Sequence, residues 1–155
     1  MTPSEFTDLM ASITGTIAGQ PLDRALEARL NAQFPADGEV VRSIANACQT
    51  AIAAGWMCSR EHAGIRYGRV IKPGDATHGF SVDVVDMDDV AGGRHRHPTG
   101  EIDLIMPMSA AARFDGRGAG WLVYEPDSAH EPTVSGGRAL VLYLLPQGAI
   151  EFVRA

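Results

Sequence analysis

Between Gly93 and Leu104 the chain reads Gly-Arg-His-Arg-His-Pro-Thr-Gly-Glu-Ile-Asp-Leu, its densest run of groups able to do chemistry. Residues two apart in an extended chain project from the same face. His95 and His97 therefore point one way and Arg96 the other. Glu101 follows, and Pro98 and Gly100 can bend the chain so that a carboxylate returns to the two imidazoles. Imidazole and carboxylate together suit a divalent metal ion, Zn, Fe, Mn, Co or Ni, and three protein ligands leave positions for water or substrate. A His-x-His pair alone decorates many loops. The added Glu101 and the strand-like run after it favour a metal site.

Alternation along that run extends the set. If Glu101 faces an interior, Asp103 faces it too, while Ile102 and Leu104 pack outward against helices. A second carboxylate beside a metal could serve as general acid or base, because low dielectric and nearby charge move its pKa toward neutrality. It could equally orient a histidine ligand. The run from Ile65 offers substrate contacts: Ile65, Tyr67, Arg69 and Ile71 share a face. If that face lines the site, Arg69 could clamp a substrate carboxylate and Tyr67 could stack or hydrogen-bond. If it is the outer face, Arg66 becomes the candidate instead.

The elements that must position these groups have two textures. Thr2-Pro3-Ser4-Glu5 reads as a capping box, and Phe6, Leu9, Met10, Ile13 and Ile17 recur at helical spacing until Gly19 and Pro21. Leu22, Leu26 and Leu30 make a second apolar stripe ending near Phe34-Pro35. Val41, Ile44, Cys48 and Ile52 make a third, ending at Gly55. Such stripes are expected to pack on the rest of the protein. From about residue 64, short β-type runs are separated by Gly, Pro and Asp: Ile65 to Ile71, Phe80 to Met87, Glu101 to Met106, Trp121 to Glu125, Ala139 to Leu145 and Ala149 to Val153. Pro73-Gly74 and Asp115-Gly116 are turn signals, and Gly136-Gly137 predicts a hairpin. This pattern suggests a sandwich or barrel. With 155 residues and no linker or repeat, one domain is expected, its helical segment (1–57) packed on a β portion (58–155).

Composition excludes some functions. The net charge of -6, with scattered basic residues, speaks against a nucleic-acid partner. No apolar stretch approaches the ~20 residues of a membrane span, and no charged n-region precedes an apolar run, so a soluble, cytoplasmic protein is expected. Cys48 and Cys58 lack CxxC spacing and any nucleophile context, which fits a reduced compartment and no catalytic role.

His95-x-His97-x-x-x-Glu101 resembles the HxHxxxE core of the first cupin motif. The resemblance implies a mainly β fold, a small cupin-type antiparallel β-barrel with the metal in its mouth, here with an N-terminal helical segment. The second cupin motif normally brings a further His after a Pro-x-Gly turn. Pro126-Asp127-Ser128-Ala129-His130 looks like a version one residue shorter, with Ser in place of Gly, and so implies His130 as fourth ligand. The usual Gly ahead of the first motif is displaced, and the one after Glu101 is absent.

Over almost the whole chain the sequence resembles the 4-hydroxylaminobenzoate lyase family. The residues behind this are those from His95 to Pro107, then Trp121-Leu122-Val123-Tyr124-Glu125-Pro126 and Ser128-Ala129-His130-Glu131-Pro132. The resemblance implies conversion of 4-hydroxylaminobenzoate, a small aromatic carboxylate, to 3,4-dihydroxybenzoate with release of ammonia, a step of nitroaromatic breakdown. Mass balance requires one water. In that reading a metal at His95, His97 and Glu101 polarises the N-hydroxyl oxygen or activates water. Asp103 moves protons, and an Arg holds the carboxylate. The same ligands would serve a metal-dependent oxygenase or isomerase, told apart by oxygen uptake or by an isomeric product without ammonia. A ligand-sensing cupin would bind without turnover. A homo-oligomer is compatible with any of these.

Overall fold

The N-terminal capping box closes as its spacing predicts. In the computed structural model, which describes residues 1–153, the Thr2 hydroxyl accepts from the Glu5 amide at 3.1 Å, and the Glu5 carboxylate accepts from the Thr2 amide at 3.0 Å. This starts α1 (Pro3–Ile17); Asp23 caps α2 (Arg24–Gln33), and α3 (Glu39–Ala54) ends at Gly55 in the left-handed region. Phe6, Met10, Ile13, Leu26, Leu30, Ile44 and Cys48 from their apolar stripes are all buried.

The strands follow as β1 (Arg60–His62), β2 (Ile65–Ile71), β3 (Phe80–Ala91), β4 (His95–His97), β5 (Glu101–Pro107), β6 (Arg113–Phe114), β7 (Gly120–Tyr124), β8 (Ser128–His130), β9 (Thr133–Pro146) and β10 (Glu151–Phe152). All their pairings are antiparallel. The fold is mainly β and of the cupin, jelly-roll type. The small cupin-type antiparallel barrel expected from the sequence takes the form of two sheets rather than one closed sheet. One sheet has the order β1-β2-β3-β9-β5-β7 with β6 beside β9, and a separate sheet has the order β10-β4-β8. Closure fails because β4 takes its hydrogen bonds from β8 and β10, and the chain changes sheets in the turn between His97 and Glu101.

Both faces of the large sheet are covered, so its central strands read as nearly continuous apolar runs. On β9, Leu140, Leu142 and Leu144 pack toward the helices, together with Ile102 and Leu104 of β5. Val141, Tyr143 and Leu145 face the other way, into a second core with Met87, Ile105 and Phe114. The alternation anticipated for β5 is therefore present. It turns Ile102 and Leu104 to the helices and leaves Glu101 and Asp103 on the interior side.

Two details differ from the sequence reading. Gly136-Gly137 forms no hairpin; it lies inside β9, where Asp89 Oδ1 accepts from both amides at 2.7 and 3.3 Å and the pairing with β3 shifts register. Gly136 has φ 77, and a Cβ there would meet the Ala111 carbonyl at 2.4 Å, so the glycine makes a bulge and a close backbone approach. On β2, a register shift between Arg69 and Ile71 removes Ile71 from the face of Tyr67 and packs it on the helix-side core. Among the described residues, no helix is long and apolar enough to cross a membrane.

The open edge at β7 is closed by α2. Asn31 accepts from the Trp121 amide at 2.9 Å and donates to the Trp121 carbonyl at 3.0 Å, while Glu27 Oε1 accepts from the Val123 amide at 2.9 Å. Helical side chains thus complete a ladder that would otherwise present unpaired groups. Asn31→Ala is expected to leave the Trp121 amide unpaired and to lower unfolding free energy by about 1–3 kcal/mol. Denaturant unfolding measures this, and a variant as stable as the parent would contradict the edge-capping role.

Candidate metal centre

β4 and β8 run side by side in the smaller sheet, with His95 directly opposite His130. After β4 the chain turns sharply, and the Gly100 amide donates to the His97 carbonyl at 3.2 Å. Gly100 has φ 89, and a Cβ there would lie 2.8 Å from the Tyr124 carbonyl, so only glycine allows this turn. The turn delivers Glu101 from the larger sheet to the imidazoles of the smaller one. One donor atom from each of His95, His97, Glu101 and His130 lies within 4.8 Å of all the others.

The contacts inside this cluster have the character of a cation site. His97 Nε2 lies 3.0 Å from Glu101 Oε1, and His130 Nε2 lies 3.0 Å from Glu101 Oε2 and 3.1 Å from His95 Nε2. Yet both ring nitrogens of His97 and both oxygens of Glu101 are buried without an aligned hydrogen bond. Each such orphan costs about 1–3 kcal/mol. Donor atoms of His97 and Glu101 that converge on the other imidazoles without hydrogen bonds of their own fit a shared positive ion, and three imidazoles with one carboxylate fit a divalent transition metal.

Charge states are set by the surroundings. Burial, and then the neighbouring His97, push the His95 imidazole down to about 4, so it is a neutral donor at ordinary pH. Burial opposes ionisation of Glu101, but His130 and His97 outweigh it and hold the carboxyl below its usual range. His130 is also opposed by burial, yet its hydrogen bond to Asp115 and the adjacent Glu101 carboxylate lift it to about 9.

Asp115 is the residue that sequence reasoning missed. Its carboxylate accepts from His130 Nδ1 at 2.6 Å, from the Tyr124 hydroxyl at 2.6 Å and from the Thr133 amide at 2.8 Å. The bond to Nδ1 turns Nε2 toward the cluster, the usual task of a carboxylate behind a ligating histidine. In the sequence Asp115-Gly116 signals only a turn, and no spacing ties it to His130.

Asp103 shares the interior face with Glu101. Its side chain is sealed, with both oxygens unpaired, and burial followed by the Glu101 charge pushes its pKa well above the ordinary range. It does not line the adjacent cavity, whereas Glu101 does.

That cavity, of about 360 Å³, is lined by His95, His97 and Glu101 on one side and by Ile65, Tyr67, Arg69, Val85, Met87, Tyr143, Leu145 and Phe152 elsewhere. Tyr67 and Arg69 thus share the cavity with the cluster, while Arg66 lies on the opposite face, 4.0 Å from Asp86. Arg69 is already engaged by Asp83 at 2.9 and 3.4 Å and by the Gly148 carbonyl at 3.1 Å. A more open depression of about 520 Å³ between Pro107 and Ala119 has Arg113 as its one charged side chain and none of these groups. Cys48 and Cys58 are free and buried, and burial pushes both thiols up to about 12, which leaves them inert.

The cupin-type fold thus gathers three histidines and a glutamate into a cluster that fits a metal site, and His95, His97 and Glu101 of that cluster line a largely apolar cavity. Residues 8–152 match the family described as PnbB, 4-hydroxylaminobenzoate lyase, and the chain belongs to that family. The 4-hydroxylaminobenzoate lyase of Nocardioides sp. (strain LMS-CY) is 29% identical over 160 residues, covering 97% of this chain and 95% of that one. The lyase of the same name from Pseudomonas putida is 28% identical, covering 94% and 90%. Among solved structures, an RmlC-like cupin protein from Ralstonia eutropha JMP134 aligns with 62% of this chain and 64% of its own, at 12% identity and a TM-score of 0.45.

Two outcomes follow from the geometry. His97→Ala should abolish most binding of one divalent ion per chain, and Asp115→Ala should weaken it by roughly 10- to 100-fold; equilibrium titration with Zn(II) or Co(II) reads both, and unchanged affinity in either variant would contradict the assignment. The second concerns pH. His130 is raised above its ordinary 6.5 to about 9, so its proton stabilises the metal-free protein fully below pH 6.5 and ceases to do so as pH rises through about 9. A metal must displace that proton. Apparent affinity should therefore climb by roughly tenfold per unit between those values, and a flat profile would show that His130 is no ligand.

Proposed function

We propose that the protein is a lyase converting 4-hydroxylaminobenzoate to 3,4-dihydroxybenzoate, consuming one water and releasing one ammonia with no external oxidant. The observation that carries this reading is the coincidence of family membership over residues 8–152 with a metal-type cluster opening on an apolar cavity large enough for one benzoate ring. A divalent metal held by His95, His97, Glu101 and His130 would supply Lewis acidity to an N-hydroxyl oxygen or to water.

The chain's own residues do the rest. Arg69 uses Nε and Nη2 on Asp83 and Gly148, which leaves Nη1 to hold the substrate carboxylate. Ile65, Val85, Met87 and Leu145 enclose the ring and exclude bulk water. Tyr67, partly exposed at the cavity wall, packs on the ring's outer side. Asp103 keeps a proton against the Glu101 carboxylate and so sets the charge that Glu101 presents to the site.

Metal-replete protein incubated anaerobically with 4-hydroxylaminobenzoate should release ammonia and 3,4-dihydroxybenzoate in equal amounts. Asp103→Asn should retain the metal and slow turnover by roughly 10- to 100-fold. Neither product from the metal-replete parent would remove the assignment, and an unslowed Asp103→Asn would remove that residue alone.

A further inference from the structure

One row of cross-strand partners crosses the interior face of the large sheet: Arg69 on β2, Asp83 on β3, Tyr143 on β9 and Asp103 on β5. Directly opposed residues project from the same face, and neighbouring strands lie about 4.8 Å apart. Tyr143 therefore stands midway between the Arg69–Asp83 pair and the carboxylates beside the cluster. It lines the cavity and is only 8% exposed, and Phe114 holds its ring at a centroid distance of 6.2 Å.

The hydroxyl is the only polar atom of this side chain, and no described residue hydrogen-bonds to it. Tyr124 is different, since its hydroxyl is consumed by Asp115. Nor is the Tyr143 oxygen among the sealed orphans of the interior; it opens on the cavity. Of its two neighbours on the row, Asp83 accepts from Arg69 and from the Ser81 hydroxyl, and Asp103 is sealed with both oxygens unpaired, so the phenol hydrogen-bonds to neither. A phenol is protonated at neutral pH, with an ordinary pKa of about 10, and among the described residues this one makes no hydrogen bond.

We propose that Tyr143 touches the substrate and determines specificity: its hydroxyl donates to an oxygen or nitrogen substituent carried by the ring opposite its carboxylate. The proposal rests on the reading of this cavity as an aromatic-acid site. A site built around an unpaired donor discriminates against a ligand that leaves the donor unpaired.

The test is calorimetric binding of 4-hydroxybenzoate and of benzoate to metal-loaded parent and to metal-loaded Tyr143→Phe, which keeps the ring packed on Phe114 and loses one oxygen. Metal content and Tm are measured on both proteins, and each should agree between them. In the variant, 4-hydroxybenzoate should bind roughly 10-fold more weakly while benzoate stays within about 2-fold of the parent. An unchanged preference, an equal weakening of both acids, altered metal content, or a parent that binds neither acid would overturn it. The measurement needs no turnover. Selective binding without ammonia release from 4-hydroxylaminobenzoate would keep the role of Tyr143 and remove the lyase reading; ammonia release with an unchanged preference would do the reverse.

Discussion

Glu101 carries a carboxylate with no exposure to solvent, and the effective cost of burying such a charge is several kcal/mol. The protein meets that cost with three imidazoles, two from β4 and one from β8, whose ligand atoms lie within 4.8 Å of one another and of the carboxylate. Because the imidazoles belong to one sheet and the carboxylate to the other, the site also joins the two sheets. Whatever occupies the cluster therefore contributes to the cohesion of the fold as well as to chemistry.

The helices make this arrangement tolerable. By covering the outer face of the large sheet they bury Leu104, Leu142, Leu144 and their neighbours, and this apolar area drives the sheet together at roughly 25 cal/mol per Å². The inner face is thereby free to be incompletely filled. A cavity of about 360 Å³ persists there beside Met87, Tyr143 and Leu145, with a hydrophobic wall and few polar groups. Arg69, Asp83 and Ser81 satisfy one another at one end, and His130, Asp115 and Tyr124 do so near the other.

Asp115 shows how backbone conformation enters the site. It sits at φ 49 beside Gly116 at φ 77, a tight turn that aims its side chain back across the sheet junction. Asp and Gly tolerate that region better than most residues. The same dipeptide that reverses the chain thus supplies the acceptor that orients His130, and Thr133 and Tyr124 fix the acceptor in turn.

What the sequence determined by itself is what depends on local periodicity. The capping box, the helical stripes, the span of β2 and the shared face of His95 with His97 and of Glu101 with Asp103 all follow from a repeat of 3.6 or 2 and from the bend that Gly100 permits. His130 was legible only through a shortened Pro-to-His turn and a family pattern. Tertiary structure decided the rest. Two adjacent glycines invite positive φ in a hairpin or in a bulge alike, and only the continuation of β3 beside β9 and the Ala111 backbone against Gly136 made the second true. Alternation on β2 separates Arg66 from Arg69 but cannot say which faces inward; the helices took the far side of the sheet, and that placed Arg69 in the cavity. Asp115 and Tyr143 join the site through contacts across strands distant in sequence, which no spacing along the chain encodes.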